Sequence, residues 1–152
     1  MLDSEKLPEP YRYFDVTPLF SWPYQVIVRL LYPTPIRPEA IVFISLVCGV
    51  VGAGFYAQGT YFGYVAGALC MYLKNLFDTV DGHLARARGQ VTRVGRFIDS
   101  LSDFVVFVLV FFGIGVALAR NGHPAWMVGL VIPAAVSLFL QCSYFNYYLV
   151  TY

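Results

Sequence analysis

The sequence predicts an all-α fold: a polytopic transmembrane helix bundle preceded by an amphipathic helix lying in the membrane interface. Three observations predict it. Only 12% of the 152 residues are charged and 59% are hydrophobic, whereas a soluble domain carries about 25% charged residues. The apolar residues gather into four runs, each approaching the roughly 20 residues that a helix needs to cross a bilayer. Short polar turns separate these runs and make consecutive helices antiparallel neighbours. The expected organisation is a cytoplasmic tail and interfacial helix over 1–35, followed by one transmembrane domain over 36–152.

Residues 1–10 are polar and acidic and lack the basic start of a secretory signal. They read as a disordered tail, which leaves the first span to act as the insertion signal. From Tyr11 to Pro35 the chain is rich in aromatics and proline but is interrupted by Arg12, Asp15, Gln25 and Arg29. Pro23 suits the first turn of a helix running on to Leu31. That helix is too short and too polar to span, so it is expected in the interface, with Trp22 and Tyr24 at headgroup depth.

The first span is expected from about Glu39 to Ala57, where Gly49, Gly52, Ala53 and Gly54 favour close helix packing. Gln58-Gly59-Thr60 makes a tight turn. The second span begins near Tyr61 and stays helical past Asp78 to about Arg86. After a basic loop, the third runs from about Gly95 to Ala119. Arg120-Asn121-Gly122-His123-Pro124 forms the next turn, and the fourth span runs from about Trp126 to Tyr148. Tyr144, Phe145, Tyr147, Tyr148 and Tyr152 read as an interfacial aromatic belt. The sequence stops at Tyr152 without a polar tail and is expected to be a fragment.

Charge placement sets the orientation. The loop after the second span holds Arg86, Arg88, Arg93 and Arg96, four of the ten Lys and Arg residues, and Arg29 and Arg37 precede the first span. The opposite side shows only Arg120. The positive-inside rule puts the N-terminus and the 86–96 loop in the cytoplasm, in a bacterial or archaeal cell membrane. The net charge of +1 argues against a nucleic-acid partner, which needs a clear basic excess. Cys48, Cys70 and Cys142 are scattered in apolar runs, with neither a disulfide framework nor metal-ligand spacing.

Beyond Glu39 the chain has four acidic residues, Asp78, Asp81, Asp99 and Asp103. All lie near the cytoplasmic ends of predicted membrane helices. An acid at the centre of a bilayer costs about 2.5–3.5 kcal/mol on insertion scales, and less near the interface. Four acids on adjacent helices also repel one another, so something must compensate them. Asp78 and Asp81 are spaced i,i+3, and Asp99 and Asp103 i,i+4, which puts each pair on one helix face. Across a short loop the two faces can meet. Four convergent carboxylates form a hard-oxygen site suited to Mg²⁺ or Mn²⁺, and two ions there could grip a diphosphate. Gly82 and Ala85 share the face of Asp78 and Asp81, and Gly95 lies one turn before Asp99. These small residues serve either ligand approach or helix packing. Arg86 is placed to reach a phosphate, whereas Arg88, Arg93 and Arg96 suit membrane topology. Lys74, one turn before Asp78, either pairs with the cluster or snorkels. His83 faces roughly away from the aspartates and reads as an interfacial polar residue.

Read together, the motif is Asp78-x2-Asp81-Gly82-x2-Ala85-Arg86-x8-Gly95-x3-Asp99-x3-Asp103. This resembles, in every fixed position and spacing, the signature of the CDP-alcohol phosphotransferase (CDP-alcohol phosphatidyltransferase) family. The resemblance implies an enzyme of phospholipid biosynthesis that transfers a substituted phosphate from a CDP-linked lipid or alcohol donor to an alcohol acceptor and releases CMP. It implies that Asp78, Asp81 and Asp99 hold one metal ion and Asp78, Asp99 and Asp103 a second. Asp103 would also be the base that takes the acceptor's proton. Gly82, Ala85 and Gly95 would line the cytidine pocket, and Arg86, with Thr92, would contact the donor's phosphates or ribose. The family also implies a homodimer and six spans, two more than are visible here. Where the family often carries Thr-Pro-Asn or Thr-Pro-Asp and a hydroxyl residue before the first span, this chain has Arg37-Pro38-Glu39-Ala40-Ile41-Val42. Glu39 either replaces that polar contact to the nucleotide or is an acid favoured at a helix N-terminus.

Three other readings compete, of which a catalytically dead scaffold is disfavoured because all four aspartates are present. An intramembrane Mg-diphosphate prenyltransferase would place its second acidic motif far along the chain, not one loop away. A non-enzymatic ion carrier would place its acids near the centres of the spans.

Overall fold

The computed structural model describes residues 22–151, with side chains from Pro23 to Tyr144. The expected tail over 1–10, the depth of Trp22 and the belt residues Phe145, Tyr147, Tyr148 and Tyr152 lie outside that description. Among the described residues the regular structure is helical throughout: α1 (Trp22–Leu31), α2 (Pro38–Ala57), α3 (Tyr61–Ala87), α4 (Arg93–Arg120), α5 (Ala125–Gly129) and α6 (Val131–Thr151).

The helix ends follow from local chemistry. Pro23 occupies the first turn of α1, where its missing N–H costs nothing. Thr34 closes the other end, its hydroxyl donating to the Leu31 carbonyl at 2.7 Å. Pro38 begins α2, with Glu39 in the first turn. α3 ends in a Schellman motif. Gly89 adopts φ +64°, its N–H donates to Arg86 O, and the Gln90 N–H donates to Ala85 O. A left-handed residue is required there, and glycine adopts it without Cβ strain. Gly122 closes α4 in the same way, at φ +72°. Thr92 caps the start of α4, its hydroxyl accepting the Gly95 N–H at 2.9 Å, as a Ser or Thr N-cap does.

The last expected span is not one unbroken helix. α5 stops at Gly129, and α6 begins after Leu130. Pro133 explains the break, since it has no N–H for the Gly129 carbonyl and its ring crowds that carbonyl.

Three stretches are long and apolar enough to cross a membrane: Pro38–Ala57, Arg93–Arg120 and Ala125–Tyr144. The protein is an integral membrane protein. The second expected span, α3, has 27 residues, enough for about 40 Å of helix at 1.5 Å per residue. It misses the apolar standard because its second half carries Lys74, Asp78, Asp81 and Arg86.

The chain divides into two compact units. One comprises the described residues up to Cys48 together with Met71–Asp103. Its core is Val28 on α1, Ile41 on α2, and Val80 and Leu84 on α3, with Tyr24, Ile27, Leu31 and Phe77 packed around them. Val80 and Leu84 are one turn apart, so Phe77, Val80 and Leu84 form an apolar stripe beside the polar stripe of Lys74, Asp78 and Asp81. This packing fixes the rotation of α3 and thereby the direction in which its aspartates project.

The other unit comprises Gly49–Cys70 and the described residues from Phe104 on. Small residues let its helices approach closely. A Cβ on Gly113 would lie 2.6 Å from the Ala53 carbonyl oxygen, and one on Gly49 would overlap the Val106 side chain. Phe104 and Phe107 pack edge-on or tilted against Phe139. Cys48, Cys70 and Cys142 form no disulfide among the described residues.

Candidate metal centre

The site is built by two helices of the first unit. Asp78 and Asp81 lie in the second half of α3, and Asp99 and Asp103 in the first turns of α4. Gly89 turns the chain between the helices, and the Thr92 cap starts α4. Carboxylate oxygens of Asp78, Asp99 and Asp103 all lie within 4.8 Å of one another. Two oxygens on one Mg²⁺ sit at most about 4.2 Å apart, given bonds of 2.0–2.1 Å. Adjacent oxygens on an octahedral ion are about 2.9 Å apart, so the three groups would draw in by up to about 2 Å to share one.

Asp81 stands outside this trio. It is 5% exposed, and its Oδ2 is buried with no hydrogen-bond partner among the described residues. Oδ1 of Asp99 is in the same condition. A buried carboxylate oxygen without a partner is costly. Two such atoms beside a carboxylate trio match the chemistry of hard divalent cations, which take oxygen ligands. The donor set therefore fits Mg²⁺ or Mn²⁺ and offers nothing to soft metals.

One cation of the chain itself already addresses the cluster. Lys74 is 6% exposed. Its ammonium donates to Asp103 Oδ1 and lies 3.5 Å from Asp78 Oδ1. Of the two sequence expectations for Lys74, pairing is the one found. Lys74 and Asp78 are i,i+4 on α3 and share a face, while Asp103 comes from α4.

Of the neighbouring small residues, Gly82 is open. A Cβ on Gly82 would meet only the Arg86 guanidinium, at 3.8 Å. Arg86 itself is exposed and free to reach outward. Ala85 is half-buried, one turn on from Asp81. Gly95 is held by the capping bond, and a Cβ there would lie 2.9 Å from the Thr92 hydroxyl oxygen. Thr92 thus has a local structural task, which leaves its hydroxyl hydrogen and one lone pair for any ligand.

Two residues carry more than their sequence reading gave them. Arg88 bonds the carbonyls of Leu31, Tyr32, Thr34 and Ile36. One guanidinium thus fastens the end of α1 and the following loop to the end of α3, where sequence placed it as a topology residue. His83 stacks on Tyr24 of α1, with ring centroids 4.7 Å apart. No sequence signal marks these ties, because the Arg88 partners are backbone carbonyls more than fifty residues away.

Comparison with known proteins bears on this site. Residues 36–148 match the family model described as CDP-alcohol phosphatidyltransferase. The chain is 36% identical over 86 residues to inner membrane protein YnjF of Escherichia coli, covering 57% of this chain and 40% of that protein. It is 33% identical over 89 residues to the phosphatidylinositol phosphate synthase of Mycobacterium tuberculosis, covering 58% of this chain and 40% of that enzyme. It is 35% identical over 69 residues to the CDP-diacylglycerol–glycerol-3-phosphate 3-phosphatidyltransferase of Bacillus subtilis, covering 45% and 34% of the two chains. The matched regions thus span well under half the length of these relatives.

Proposed function

The chain belongs to the CDP-alcohol phosphatidyltransferase family, and from that premise we propose that it transfers a phosphatidyl or similarly substituted phosphate group from a CDP-linked donor to an alcohol, releasing CMP at the cytoplasmic face of the membrane. The observation that carries this reading is the carboxylate trio of Asp78, Asp99 and Asp103, with oxygens within 4.8 Å of one another, together with the buried oxygens of Asp81 and Asp99 that have no hydrogen-bond partner among the described residues.

Asp78, Asp99 and Asp103 would hold one divalent ion, and Asp78, Asp81 and Asp99 a second. When bound, the ions neutralise the donor's diphosphate and make CMP a better leaving group. The chain's own groups do the rest. Arg86, exposed beside Gly82, donates hydrogen bonds to a donor phosphate. Gly82, Ala85 and Gly95 leave room for the cytidine along the α3–α4 face, with Thr92 at its edge. Asp103 is the exposed member of the trio and takes the proton from the acceptor hydroxyl. The acceptor oxygen then forms its bond to the phosphorus carrying the alcohol or lipid group. The bond from that phosphorus to the CMP oxygen breaks, and CMP leaves with the electron pair.

Two relatives are named for phosphorylated products or acceptors, phosphatidylinositol phosphate and glycerol 3-phosphate. Inositol phosphate and glycerol 3-phosphate are therefore the first acceptors to test. The experiment incubates the full-length protein in detergent or nanodiscs with CDP-diacylglycerol, Mg²⁺ and each acceptor, and measures CMP and lipid product. Acceptor-dependent CMP release that stops on chelation supports the reading. Absence of CMP release across donors and acceptors, from protein shown to be folded, overturns it.

A further inference from the structure

Lys74 is the one described basic side chain that is buried among the aspartates, and neither the signature nor the transfer chemistry uses it. An ammonium is compact and strongly hydrated, and hiding it costs several kcal/mol unless it is paired. Here it is paired twice, to Asp103 on α4 and to Asp78 on its own helix. These are two of the three carboxylates that converge closely enough to share an ion. The ammonium thus faces the same oxygens that a divalent cation needs.

We infer that Lys74 is a tethered counter-cation of the site: in the metal-free protein its ammonium holds Asp78 and Asp103 together across α3 and α4, and an entering divalent ion must displace it from the shared oxygens. The inference rests on the metal-site reading above and deepens it.

Charge arithmetic shows why such a residue is useful. If fully ionised, the four aspartates carry −4, and Lys74 reduces this to −3 while no ion is bound. One divalent ion brings the sum to −1 and a second to +1, which an anionic diphosphate donor then offsets. Without Lys74 the carboxylates of the empty site lose that neighbouring positive charge, so repulsion between α3 and α4 is greatest when no metal is present. The exchange itself favours the metal. A divalent ion brings twice the charge to an oxygen at about 2.1 Å, against about 2.8 Å for an ammonium hydrogen bond. Lys74 therefore lowers metal affinity without abolishing it, and in return keeps the carboxylates in register before metal arrives. It acts through Asp103 and Asp78 and is a positioning residue.

The test uses the full-length protein in detergent and reads Mn²⁺ binding by electron paramagnetic resonance, together with thermal unfolding. Lys74→Met removes the charge at nearly constant length. It is expected to tighten Mn²⁺ binding at least about fivefold, the removal of one competing charge-assisted hydrogen bond. It should also lower the unfolding temperature of the metal-free protein, a loss that saturating Mn²⁺ restores. Lys74→Arg keeps the charge and grips carboxylates in bidentate fashion, so it should weaken Mn²⁺ binding. It covers the case in which the Met variant does not fold. Unchanged or weaker Mn²⁺ binding by Lys74→Met overturns the inference while leaving the metal site standing, and if that variant does not fold, unchanged or tighter binding by Lys74→Arg overturns it equally. Failure of the unsubstituted protein to bind Mn²⁺ removes the metal site and the inference with it.

Discussion

At the scale of single residues, Asp78 and Asp103 carry separable loads. Asp103 is exposed, whereas Asp78 is half-buried and paired to Lys74 on the same helix. Asp103→Asn keeps size and one coordinating oxygen but gives up the base. It is expected to reduce transfer by about 10²–10⁴-fold, the usual worth of a general base, while cytidine-nucleotide binding measured by calorimetry changes little. Asp78 serves both proposed ions, so Asp78→Asn should weaken Mn²⁺ and nucleotide binding together. Near-normal turnover by folded Asp103→Asn would show that another group takes the proton. The aspartates could be read from sequence because acids are expensive in an apolar chain and their i,i+3 and i,i+4 spacings select one face. Lys74 was half legible: its spacing from Asp78 showed that a pair could form, but the bond to Asp103 depends on how two helices meet. The task of Thr92 as a helix cap was open to sequence as well, since a threonine just before a helix is a standard N-cap.

At the scale of elements, the ties between α1 and α3 lay beyond sequence reading. Amphipathic spacing and Pro23 marked where α1 begins, and Leu31 is where it ends. What holds it to α3 is a guanidinium on carbonyls and a stacked ring pair, neither of which has periodicity. Arg88→Ala leaves the carbonyls of the last turn of α1 without that donor. Hydrogen exchange over residues 22–36 should then quicken by roughly tenfold or more, in line with about 1.5–3 kcal/mol for a hydrogen bond to a charged group. Arg88→Lys should recover only part of the protection, because a point charge cannot reach four carbonyls at once. Exchange unaltered in Arg88→Ala would mean that the apolar contacts of Val28 with Val80 and Leu84 hold α1 unaided. The second unit offers the opposite case, an element contact made by the lack of a side chain. Gly113→Leu must force its side chain past the Ala53 carbonyl. It should destabilise the protein by about 1–3 kcal/mol, as overpacking does, read as a lower midpoint in thermal unfolding. The small-residue runs were legible as packing faces, but the break at Leu130 was missed because the apolar run hid the consequence of Pro133 for the carbonyl of Gly129.

At the scale of the whole molecule, orientation is the property on which cytoplasmic chemistry depends, and charge is what sets it. Apolar length alone fixes neither direction nor, for α3, the expectation of a span, because a helix that carries the site cannot also be uniformly apolar. The basic residues supply the missing information. Arg86, Arg88, Arg93 and Arg96 cluster at or near the junction of α3 and α4, and Arg120 stands alone at the far end of α4. α4 has 28 residues, about 42 Å at 1.5 Å per residue, which exceeds a hydrocarbon core of about 30 Å. Its two ends are therefore expected on opposite sides. Gln90 and His123 flank those ends and both are exposed. In a chain with Cys48, Cys70 and Cys142 changed to Ser, Gln90→Cys should react with a membrane-impermeant maleimide in inverted vesicles and stay unlabelled in intact spheroplasts. His123→Cys should show the reverse pattern. Each of the four arginines adds to the same bias, so replacing Arg93 and Arg96 with Gln should begin to mix the two labelling patterns while leaving Arg86 beside the site. Labelling of Gln90→Cys from outside would place the aspartate cluster at the outer surface, away from any cytosolic pool of nucleotide, and the proposed transfer could not then draw on a cytosolic CDP-linked donor.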